Sequence, residues 1–570
     1  MHPSRTRRPA TRTAAAFSVL CLAASCAANP GPPPLVEPED RPDAVSDRDN
    51  ADADSADTDA DADNAADEPG TGQEPANSRP QAQIGIDQVR AGFNPHLVGD
   101  ESAVVRGIAD LVLPSAFQAD GAKDPNLLVG ASVLPTSPDA FTVRYIISPN
   151  AQWSDGTPIT GADFAYLWRG MTQTAGVVDP AAYRAVSNVR VSGPGGKVVD
   201  VDFAQPVGDW RVLFRHLLPS HLLAADAADF AYALRNTVPA SAGRYLVRSV
   251  DRAHGTVTLN RNDRFWGPDP APIDILTLAA ARDTTQVADQ LRSGQLAFVD
   301  MVPQDTTADV LGLIPDVDTR TFPGARTLGV TLSATSGLSA QERAEVRSLI
   351  DVPLLAHIAA RRSTDVAAAE PTEPGSLALL HALAADGKVL RVAADAADPA
   401  ATAAARSLVD LLENAGVPAR IVANELPAIA ARSLPAGEVD IVVHWRNDGA
   451  SADTAAHTPA DTLASRIACP AETGRAGNLA GFCSVAGDEL AKAILAGDIP
   501  PETATERVAA IEHREALWVP LLRETRLAAT AGGVRAAGTQ PGQWPGGLSS
   551  AGAWTLADTV GRRTKIQEVP

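Results

Sequence analysis

The sequence predicts an α/β fold with mixed sheets, divided into two lobes. The chain has 570 residues, more than a single hydrophobic core usually organises. Before about residue 280 the patterns indicate antiparallel hairpins, and after it strand and helix patterns alternate at the spacing of βαβ units. We therefore expect a first lobe over residues 81–280, to which residues 516–570 return, and a second lobe over residues 281–515.

The first 25 residues have the pattern of an export signal. A basic start precedes an apolar run from Ala14 to Ala24, which is about half the length needed to span a bilayer. Small residues stand directly before Cys26, an arrangement that resembles a bacterial lipobox. We expect residues 1–25 to be a lipoprotein signal peptide and Cys26 to be lipidated, which would anchor the chain to the extracytoplasmic face of the cell membrane. The alternative is a plain secretory peptide cut near Ala28.

Residues 26–80 are composed mainly of Pro, Ala and Asp. They offer almost no large apolar side chain to bury, so we expect a disordered, acidic tether between the anchor and the folded body. The formal net charge of the whole chain is −21, and the body beyond the tether remains acidic. An acidic body argues against a nucleic-acid partner.

The four cysteines divide by position along the chain. Cys21 leaves with the signal peptide, Cys26 is the expected anchor, and Cys469 and Cys483 remain as a pair. Outside the cytoplasm this pair should form a disulfide, which stabilises a loop of this size by roughly 3 kcal/mol. Neither a CxxC motif nor a histidine cluster accompanies the pair, so the sequence predicts no metal site and no cofactor.

The stretch Ala151–Gly170 combines turn chemistry with an amphipathic helix. It follows an alternating strand, Phe141–Ile147, and opens with the turn sequence WSDGTP. Thr160 can then cap a helix with Asp163 three residues later, and apolar residues follow at helical spacing. The unit is therefore a strand, a turn and a capped helix.

Further strands and helices are indicated along the rest of the chain. Two hairpins are expected at Asn188–Phe203 and Gly243–Asn262, with glycines at their turns. The βαβ patterns and buried strands of the second half lie at Thr284–Asp300, Val389–Asn424, Val439–Trp445 and Ala516–Thr530.

Several segments, in order from about Asn94 to Thr530, resemble the extracytoplasmic solute-binding proteins of the peptide, dipeptide and nickel class, family five. They include WSDGTPITGADFAYLW, VLFRHLLPSHLL, AGRYLVRSVDRAHGTVTLNRNDRFWG and LRSGQLAFVD. The resemblance implies a periplasmic-binding-protein-like fold, with mixed sheets and a ligand held in a hinged cleft that closes around it. It also implies that Ala151–Gly170 braces one wall of the cleft without touching the ligand.

The segment HWRNDGA carries the residues that the resemblance assigns to ligand binding. Trp445 and Asp448 match the family's Trp-x-x-Asp element, whose carboxylate pairs with the amino terminus of a bound peptide. Asn447-Asp448-Gly449 is also an ordinary turn sequence, so both interpretations of Asp448 stay open. Arg446 and Asn447 suit the sugar hydroxyls and phosphate of a phosphatidylinositol mannoside, although Arg446 at an ordinary surface position is the alternative.

No enzyme motif is present. The sequence lacks a Gly-x-Ser-x-Gly nucleophile turn, a His-Glu-x-x-His metal site and a phosphate-binding loop. His216 and His221 are five positions apart, which does not place them together on a helix. We therefore expect a protein that is not an enzyme.

The favoured hypothesis is a lipid-anchored, monomeric binding protein of the ABC-transporter type. One version binds a peptide-like solute and hands it to an ABC permease. In the other, supported by the resemblance of IGIDQVRAGFNPHLVGD to a lipoprotein member of the family, the protein binds a phosphatidylinositol mannoside and acts in lipomannan and lipoarabinomannan assembly with a membrane glycosyltransferase. The alternative hypothesis is a ligand-free scaffold lipoprotein that regulates a membrane enzyme.

Overall fold

The computed structural model describes residues 79–118, 120–135, 141–223, 230–448, 458–470, 477–535 and 547–557. The signal peptide, Cys26 and nearly all of the tether lie outside the described residues, so these assignments stay predictions. Among the residues that are described, no helix is long and apolar enough to cross a membrane.

The described strands and helices alternate along most of the chain. The strands are β1 (Gln81–Ile86), β2 (Leu128–Val133), β3 (Phe141–Ile147), β4 (Val186–Ser192), β5 (Val198–Phe203), β6 (Tyr245–Asp251), β7 (Thr256–Arg261), β8 (Ile275–Ala280), β9 (Phe298–Met301), β10 (Val317–Leu332), β11 (Leu390–Asp395), β12 (Ala419–Asn424), β13 (Ile441–Asn447), β14 (Trp518–Ala531), β15 (Val534–Arg535) and β16 (Thr555–Leu556). The helices are α1 (Ala103–Val112), α2 (Gly161–Gln173), α3 (Ala181–Arg184), α4 (Thr284–Arg292), α5 (Thr307–Gly312), α6 (Ala340–Ser348), α7 (Val352–Ala360), α8 (Ala378–Ala385), α9 (Pro399–Asn414), α10 (Leu426–Ala428), α11 (Ala460–Ile467), α12 (Val485–Ala496) and α13 (Pro501–Arg514).

A mixed sheet of ten described strands runs through the body in the order β12-β11-β13-β10-β14-β9-β1-β8-β7-β6. Each half contains parallel pairs, such as β11 with β12 in one half and β1 with β8 in the other, and the edge formed by β6 and β7 is antiparallel. Its middle is the antiparallel pair of the long strands β10 and β14. These two strands connect both halves of the sheet, which is the position that a hinge requires.

A second sheet, in the order β2-β3-β5-β4, lies beside α2. The predicted hairpin at residues 188–203 is confirmed as β4 and β5, and the hairpin at residues 243–262 as β6 and β7. The capping box is confirmed as well, because the backbone N–H of Thr160 donates to Asp163 Oδ2 at 2.9 Å. Trp153 is fully buried, so the turn before α2 is fixed by packing.

Two large apolar clusters hold the body together. The first core joins β1, β3, β5, β7 and β8 with α1 and α2, and the second core joins β10, β11, β13 and β14 with α7 and α9. Apolar side chains of α11, α12 and α13 also pack in the first core, as does Trp554 near the end of the described chain. The lobe boundaries that the sequence suggests stay a prediction.

The segment around Gly99 contacts the segment that begins α10, and Val98 packs with Leu426 in a smaller apolar cluster. A Cβ atom on Gly99 would lie 2.8 Å from the Cδ of Pro427, so a glycine is needed where these two backbones approach. Nearby, Arg235 and Glu425 form an exposed ion pair at 3.4 Å. The predicted disulfide is confirmed between Cys469 and Cys483.

Candidate functional site

Strand β13 carries three of the four predicted ligand residues, and Asp448 follows its end. Side chains alternate between the two faces of a strand, so Trp445 and Arg446 point in opposite directions. The guanidinium of Arg326 lies 5.0 Å from the centre of the Trp445 ring. On the other face, the guanidinium of Arg446 lies 4.1 Å from the centre of the Trp518 ring. Both contacts are in the range of cation–π attraction.

Two ion pairs engage the charged members of this group. Arg446 Nη1 lies 2.6 Å from Glu512 Oε1, and Arg466 Nη2 lies 2.7 Å from Asp448 Oδ1. Arg446 Nε is also 3.6 Å from Asp448 Oδ1. The carboxylate that the sequence assigns to a ligand amine is therefore balanced by two arginines of the chain itself. Its role as a ligand contact stays a prediction.

These side chains form one wall of a cavity of about 60 Å³, which we call the inner cavity. A cavity of this size holds a few water molecules in the described conformation. The lining comes from distant parts of the chain, namely Val98, Glu101, Val178, Asp179, Thr331, residues 444–447, Arg466, residues 477–480, Glu512, Leu517 and Trp518.

A larger cavity of about 610 Å³, the outer cavity, shares part of that wall. Arg446, Arg466, Glu512 and Trp518 line both cavities and so form the partition between them. Trp445 and Asn447 line only the inner cavity, whereas Asp448 lines only the outer one. The four predicted ligand residues thus face two neighbouring spaces.

Asp179 is a member of the inner cavity that the sequence analysis missed. Its Oδ2 accepts a hydrogen bond from the hydroxyl of Thr462 at 2.8 Å. Burial raises the pKa of Asp179 to about 6, while that hydrogen bond and the positive charge of Arg466 act in the opposite direction. No arginine or lysine of the described residues forms an ion pair with it. Asp179 is consequently a carboxylate without a cationic partner of its own.

A second buried carboxylate, Asp461, lies close to Asp179. Burial raises its pKa well above the usual value, and the negative charge of Asp179 adds to that effect. Asp461 Oδ1 accepts a hydrogen bond from the backbone N–H of Ala182 at 2.7 Å, which ties α11 to α3. The two carboxylates therefore disfavour each other's charged form, and a cation beside them would be stabilised.

His444 precedes the predicted residues on β13 and is buried. Burial lowers its pKa to about 4, so the ring is neutral near neutral pH. Its two nitrogens lie 2.8 Å from the Thr331 hydroxyl and 2.9 Å from the carbonyl oxygen of Trp445. These bonds fix the strand next to the cavity, so His444 is a structural residue.

A network of buried charges crosses β10 and β14. Arg326 Nη2 lies 2.6 Å from Glu524 Oε1, and Arg526 lies 2.6 Å from Asp300 and 2.7 Å from Asp87. Although burial raises the pKa of Glu524, the charges of Arg326 and Arg526 outweigh it and leave that pKa below its usual value. The carboxylate of Glu524 is therefore ionised where the long strands cross.

Arg326 connects this network to the site. Its guanidinium is paired with Glu524 and also lies against the ring of Trp445, a residue of the inner cavity wall. Gly324 makes the close approach possible, because a Cβ there would lie 2.5 Å from Glu524 Oε2. A rotation of the long strands would consequently change the position of Trp445.

The comparison with family models matches residues 128–361 to the bacterial extracellular solute-binding proteins, family 5, middle part. A curated relative, described below, is 32% identical over most of both chains. Together these matches show that the chain belongs to family 5 of the bacterial extracellular solute-binding proteins.

Two mycobacterial proteins are among its relatives. The chain is 32% identical over 477 residues to the "Probable monoacyl phosphatidylinositol tetramannoside-binding protein LpqW" of Mycobacterium tuberculosis, covering 71% of this chain and 73% of that one. It is 28% identical over 282 residues to the "Oligopeptide-binding protein OppA" of Mycobacterium bovis, covering 48% of this chain and 44% of that one. The resemblance inferred from the sequence is confirmed.

Solved structures confirm the predicted two-lobed α/β fold. The oligopeptide-binding protein AppA of Bacillus subtilis, solved with a nonapeptide, superposes with a TM-score of 0.63 at 13% identity, covering 84% of this chain and 99% of that one. The periplasmic EDTA-binding protein EppA gives a TM-score of 0.59 at 21% identity, covering 84% and 97%. At these identities the likeness concerns the fold alone.

The partners of the predicted residues could not be found from the sequence. Arg446 and Glu512 are 66 positions apart, and Asp179 and Thr462 are 283 positions apart. The one local signal is a charged residue on an otherwise buried helix face, as at Asp461 and Glu512. Such residues are rarely buried without a partner.

Proposed function

We propose that this chain is a lipid-anchored, monomeric and non-enzymatic binding protein on the extracytoplasmic face of the cell membrane. Its ligand occupies the inner and outer cavities. Trp445, Arg446 and Asn447 contact the ligand from the inner cavity and Asp448 from the outer one. The observation that carries the proposal is the composite wall, in which two tryptophans, two arginines and three carboxylates from distant segments surround one space.

Two ligand classes follow from the relatives and from the charges of the site. A peptide-like solute, passed on to an ABC permease, is supported by the oligopeptide-binding relative OppA. A phosphatidylinositol mannoside is supported by the relative LpqW and by the arginines around the outer cavity, Arg446, Arg466 and Arg523. With that ligand the protein acts in lipomannan and lipoarabinomannan assembly, together with a membrane glycosyltransferase.

A thermal shift experiment tests the proposal with both classes. The mature protein is heated alone, with a mixture of tri- to pentapeptides, and with purified phosphatidylinositol tetramannoside. A ligand that binds only the folded state raises the melting temperature, by about 2.7 kcal/mol of added stability at a hundredfold excess over Kd. An unchanged melting temperature with both classes contradicts the proposal.

A second candidate function is a ligand-free scaffold that regulates a membrane enzyme. It is favoured by the small volume of the inner cavity and by the ion pairs that engage Arg446 and Asp448 within the chain. In that case a Trp445→Ala variant that folds normally complements a strain lacking the gene as fully as the wild-type protein does. Failure to restore it supports ligand binding.

A further inference from the structure

We propose that a cavity at the edge of the ten-stranded sheet binds a phosphate group. Its volume is about 570 Å³, and it lies where strands β6 and β7 form that edge. We call it the edge cavity; it is lined by Arg79, Ser154, Leu246, Arg248, residues 260–264 and Asp274. It shares no lining residue with the inner or the outer cavity, and five strands separate β7 from β13 in the sheet. The edge cavity is therefore distinct from the ligand cavities proposed above.

The lining of the edge cavity carries a surplus of positive charge. It contains four arginines and two aspartates, which leaves two positive charges, whereas the whole chain has a formal net charge of −21. Both aspartates contact Arg261: Asp263 Oδ1 lies 3.0 Å from its Nε, and Asp274 forms a second ion pair with it. Asp274 Oδ2 also lies 3.5 Å from Arg79 Nε. The negative charges of the lining are therefore engaged by these two arginines.

Arg248 and Arg264 supply the two remaining positive charges. Both residues are exposed, and neither guanidinium forms an ion pair or a hydrogen bond with the described part of the chain. A guanidinium presents several N–H donors in one plane, which match the oxygens of a phosphate in bonds about twice as strong as neutral ones. Two such groups on one cavity favour an anion with several oxygens.

A β-bulge places Arg248 at the edge cavity. The pairing of β6 with β7 shifts register between Val247 and Ser249, so Arg248 has no partner residue on β7. Bulges of this kind re-aim a side chain and are frequent beside functional sites. Leu246 and its register partner Asn260 line the same cavity. The irregularity of the strand thus coincides with the position of the unpaired arginine.

The turn after β7 positions Arg264. Its backbone N–H donates to Oδ1 of the buried Asn262 at 3.1 Å. Its side chain lies over the turn before α2, because a Cβ on Gly156 would lie 2.9 Å from Arg264 Nη1. In the same turn, the hydroxyl oxygen of Ser154 accepts the backbone N–H of Ser241 at 3.1 Å, so the hydroxyl proton can be donated to an anion. A neutral donor therefore lies on the same cavity as the two arginines.

The size and position of the edge cavity indicate what carries the phosphate. A volume of about 570 Å³ lies within the range of small-molecule sites, so it has room for a phosphate together with its ester group. Arg79 is the first described residue, so the cavity lies where the tether joins the body. A soluble phosphate ester and the headgroup of an anionic phospholipid present the same group to the arginines. The ligand class is therefore a phosphate ester, and vesicles distinguish its two sources.

The first experiment is a thermal shift of the mature protein in sodium phosphate, compared with sodium chloride of equal ionic strength. We expect phosphate to raise the melting temperature, because an anion that binds only the folded state stabilises it. The double variant Arg248→Gln/Arg264→Gln keeps polar side chains at both positions but removes both charges. Its apparent affinity for phosphate should be at least about tenfold weaker.

The matched control is the double variant Arg406→Gln/Arg420→Gln. It removes the same charge from two exposed arginines, one on α9 and one on β12, which forms the opposite edge of the sheet. This control should respond to phosphate as the wild type does, so it separates a local site from a general effect of net charge. Circular dichroism verifies the fold of each variant.

The second experiment identifies the source of the phosphate. The mature chain with Cys26→Ala, which removes the proposed acylation site, is sedimented with vesicles of phosphatidylglycerol and with vesicles of phosphatidylcholine. Binding to phosphatidylglycerol that is lost in the Arg248→Gln/Arg264→Gln background assigns the site to a lipid headgroup. A thermal shift with phosphate but no vesicle binding assigns it to a soluble ester. Either result supports the edge cavity as a phosphate site.

Two outcomes of the thermal shift overturn the proposal. If phosphate gives the wild type no more stability than chloride does, the bulge and Arg248 serve only to protect the edge strand from pairing. If Arg248→Gln/Arg264→Gln responds as fully as the wild type, phosphate binds elsewhere, for example at the arginines of the outer cavity. Neither outcome bears on ligand binding in the inner and outer cavities, whose residues are unchanged in these variants.

Discussion

Arg466 Nη2 lies 2.7 Å from the carboxylate of Asp448, and both residues border the outer cavity. The side chain of Arg466 is only 10% exposed, so its charge depends on this partner. The same arginine forms part of the partition that separates the two cavities. The ion pair with Asp448 thus holds Arg466 in the partition, whether or not Asp448 also contacts a bound ligand.

The first prediction concerns the stability of this ion pair. Asp448→Asn removes the charge that balances Arg466 and leaves a largely buried guanidinium uncompensated. We expect the free energy of unfolding to fall by about 2 kcal/mol, less than for a fully buried pair because Asp448 is partly exposed. Urea denaturation followed by tryptophan fluorescence measures the change.

The matched control is Asp289→Asn, which breaks an exposed pair with Arg292 on α4. Exposed pairs contribute at most about 1 kcal/mol, so this variant should lie within a few tenths of the wild type. Equal stabilities for Asp448→Asn and Asp289→Asn would show that the partition does not depend on the pair.

The second prediction is that Asp179→Asn stabilises the protein at neutral pH. Because burial raises the pKa of Asp179 from 3.8 to about 6, the folded state binds more protons than the unfolded state between these values. Stability of the wild type therefore falls as the pH rises through this window. Asparagine carries no charge and can still accept the hydrogen bond of Thr462.

Chemical denaturation over a pH series tests this sign. The variant should be up to about 3 kcal/mol more stable than the wild type above about pH 6, and the difference should vanish below about pH 4. A variant that is less stable at every pH would contradict the assigned ionisation.

The third prediction uses the contact between Gly99 and Pro427. Any side chain at position 99 meets the proline ring, so Gly99→Leu should hold the two segments apart. We expect a larger radius of gyration by small-angle X-ray scattering and a smaller thermal shift with ligand. Gly312→Leu is the control, since a Cβ there has no atom within 4 Å. Identical scattering of both variants would show that the contact does not set the separation of the lobes.

The fourth prediction concerns the proposed anchor. Cys26 lies outside the described residues, and its lipidation is a proposal from the sequence. Replacement by alanine should move the protein from the membrane fraction to the soluble fraction, because the acyl chains supply the membrane affinity. Fractionation followed by immunoblotting checks this. A Cys21→Ala variant, altered within the signal peptide, should remain with the membrane.

Local chemistry made much of the fold predictable. The capping box of Thr160 and Asp163, the hairpin around Gly255 and the helix that ends before Gly294 depend on neighbours within a few residues. β13 was predicted to end at Trp445 but continues to Asn447, because its pairing with β10 extends beyond the apolar run. Pairing with a distant strand is not visible in the sequence of one strand.

The candidate site was less predictable, for the same reason. Family resemblance indicated Trp445 and Asp448, but nothing near them in the sequence indicates that Glu512 and Arg466 balance the charges there. That Asp179 forms no direct ion pair among the described residues emerges only when the distant neighbours of the cavity are known, since Thr462 and Arg466 lie far from it in the sequence.

The most direct test of the account is native mass spectrometry of the mature protein purified without unfolding. Ligand binding in the cavities predicts a bound species, either carried through purification or acquired from added peptides or phosphatidylinositol tetramannoside. It should disappear on unfolding and be weaker in Trp445→Ala. A spectrum that shows only the bare chain under all of these conditions would contradict the account.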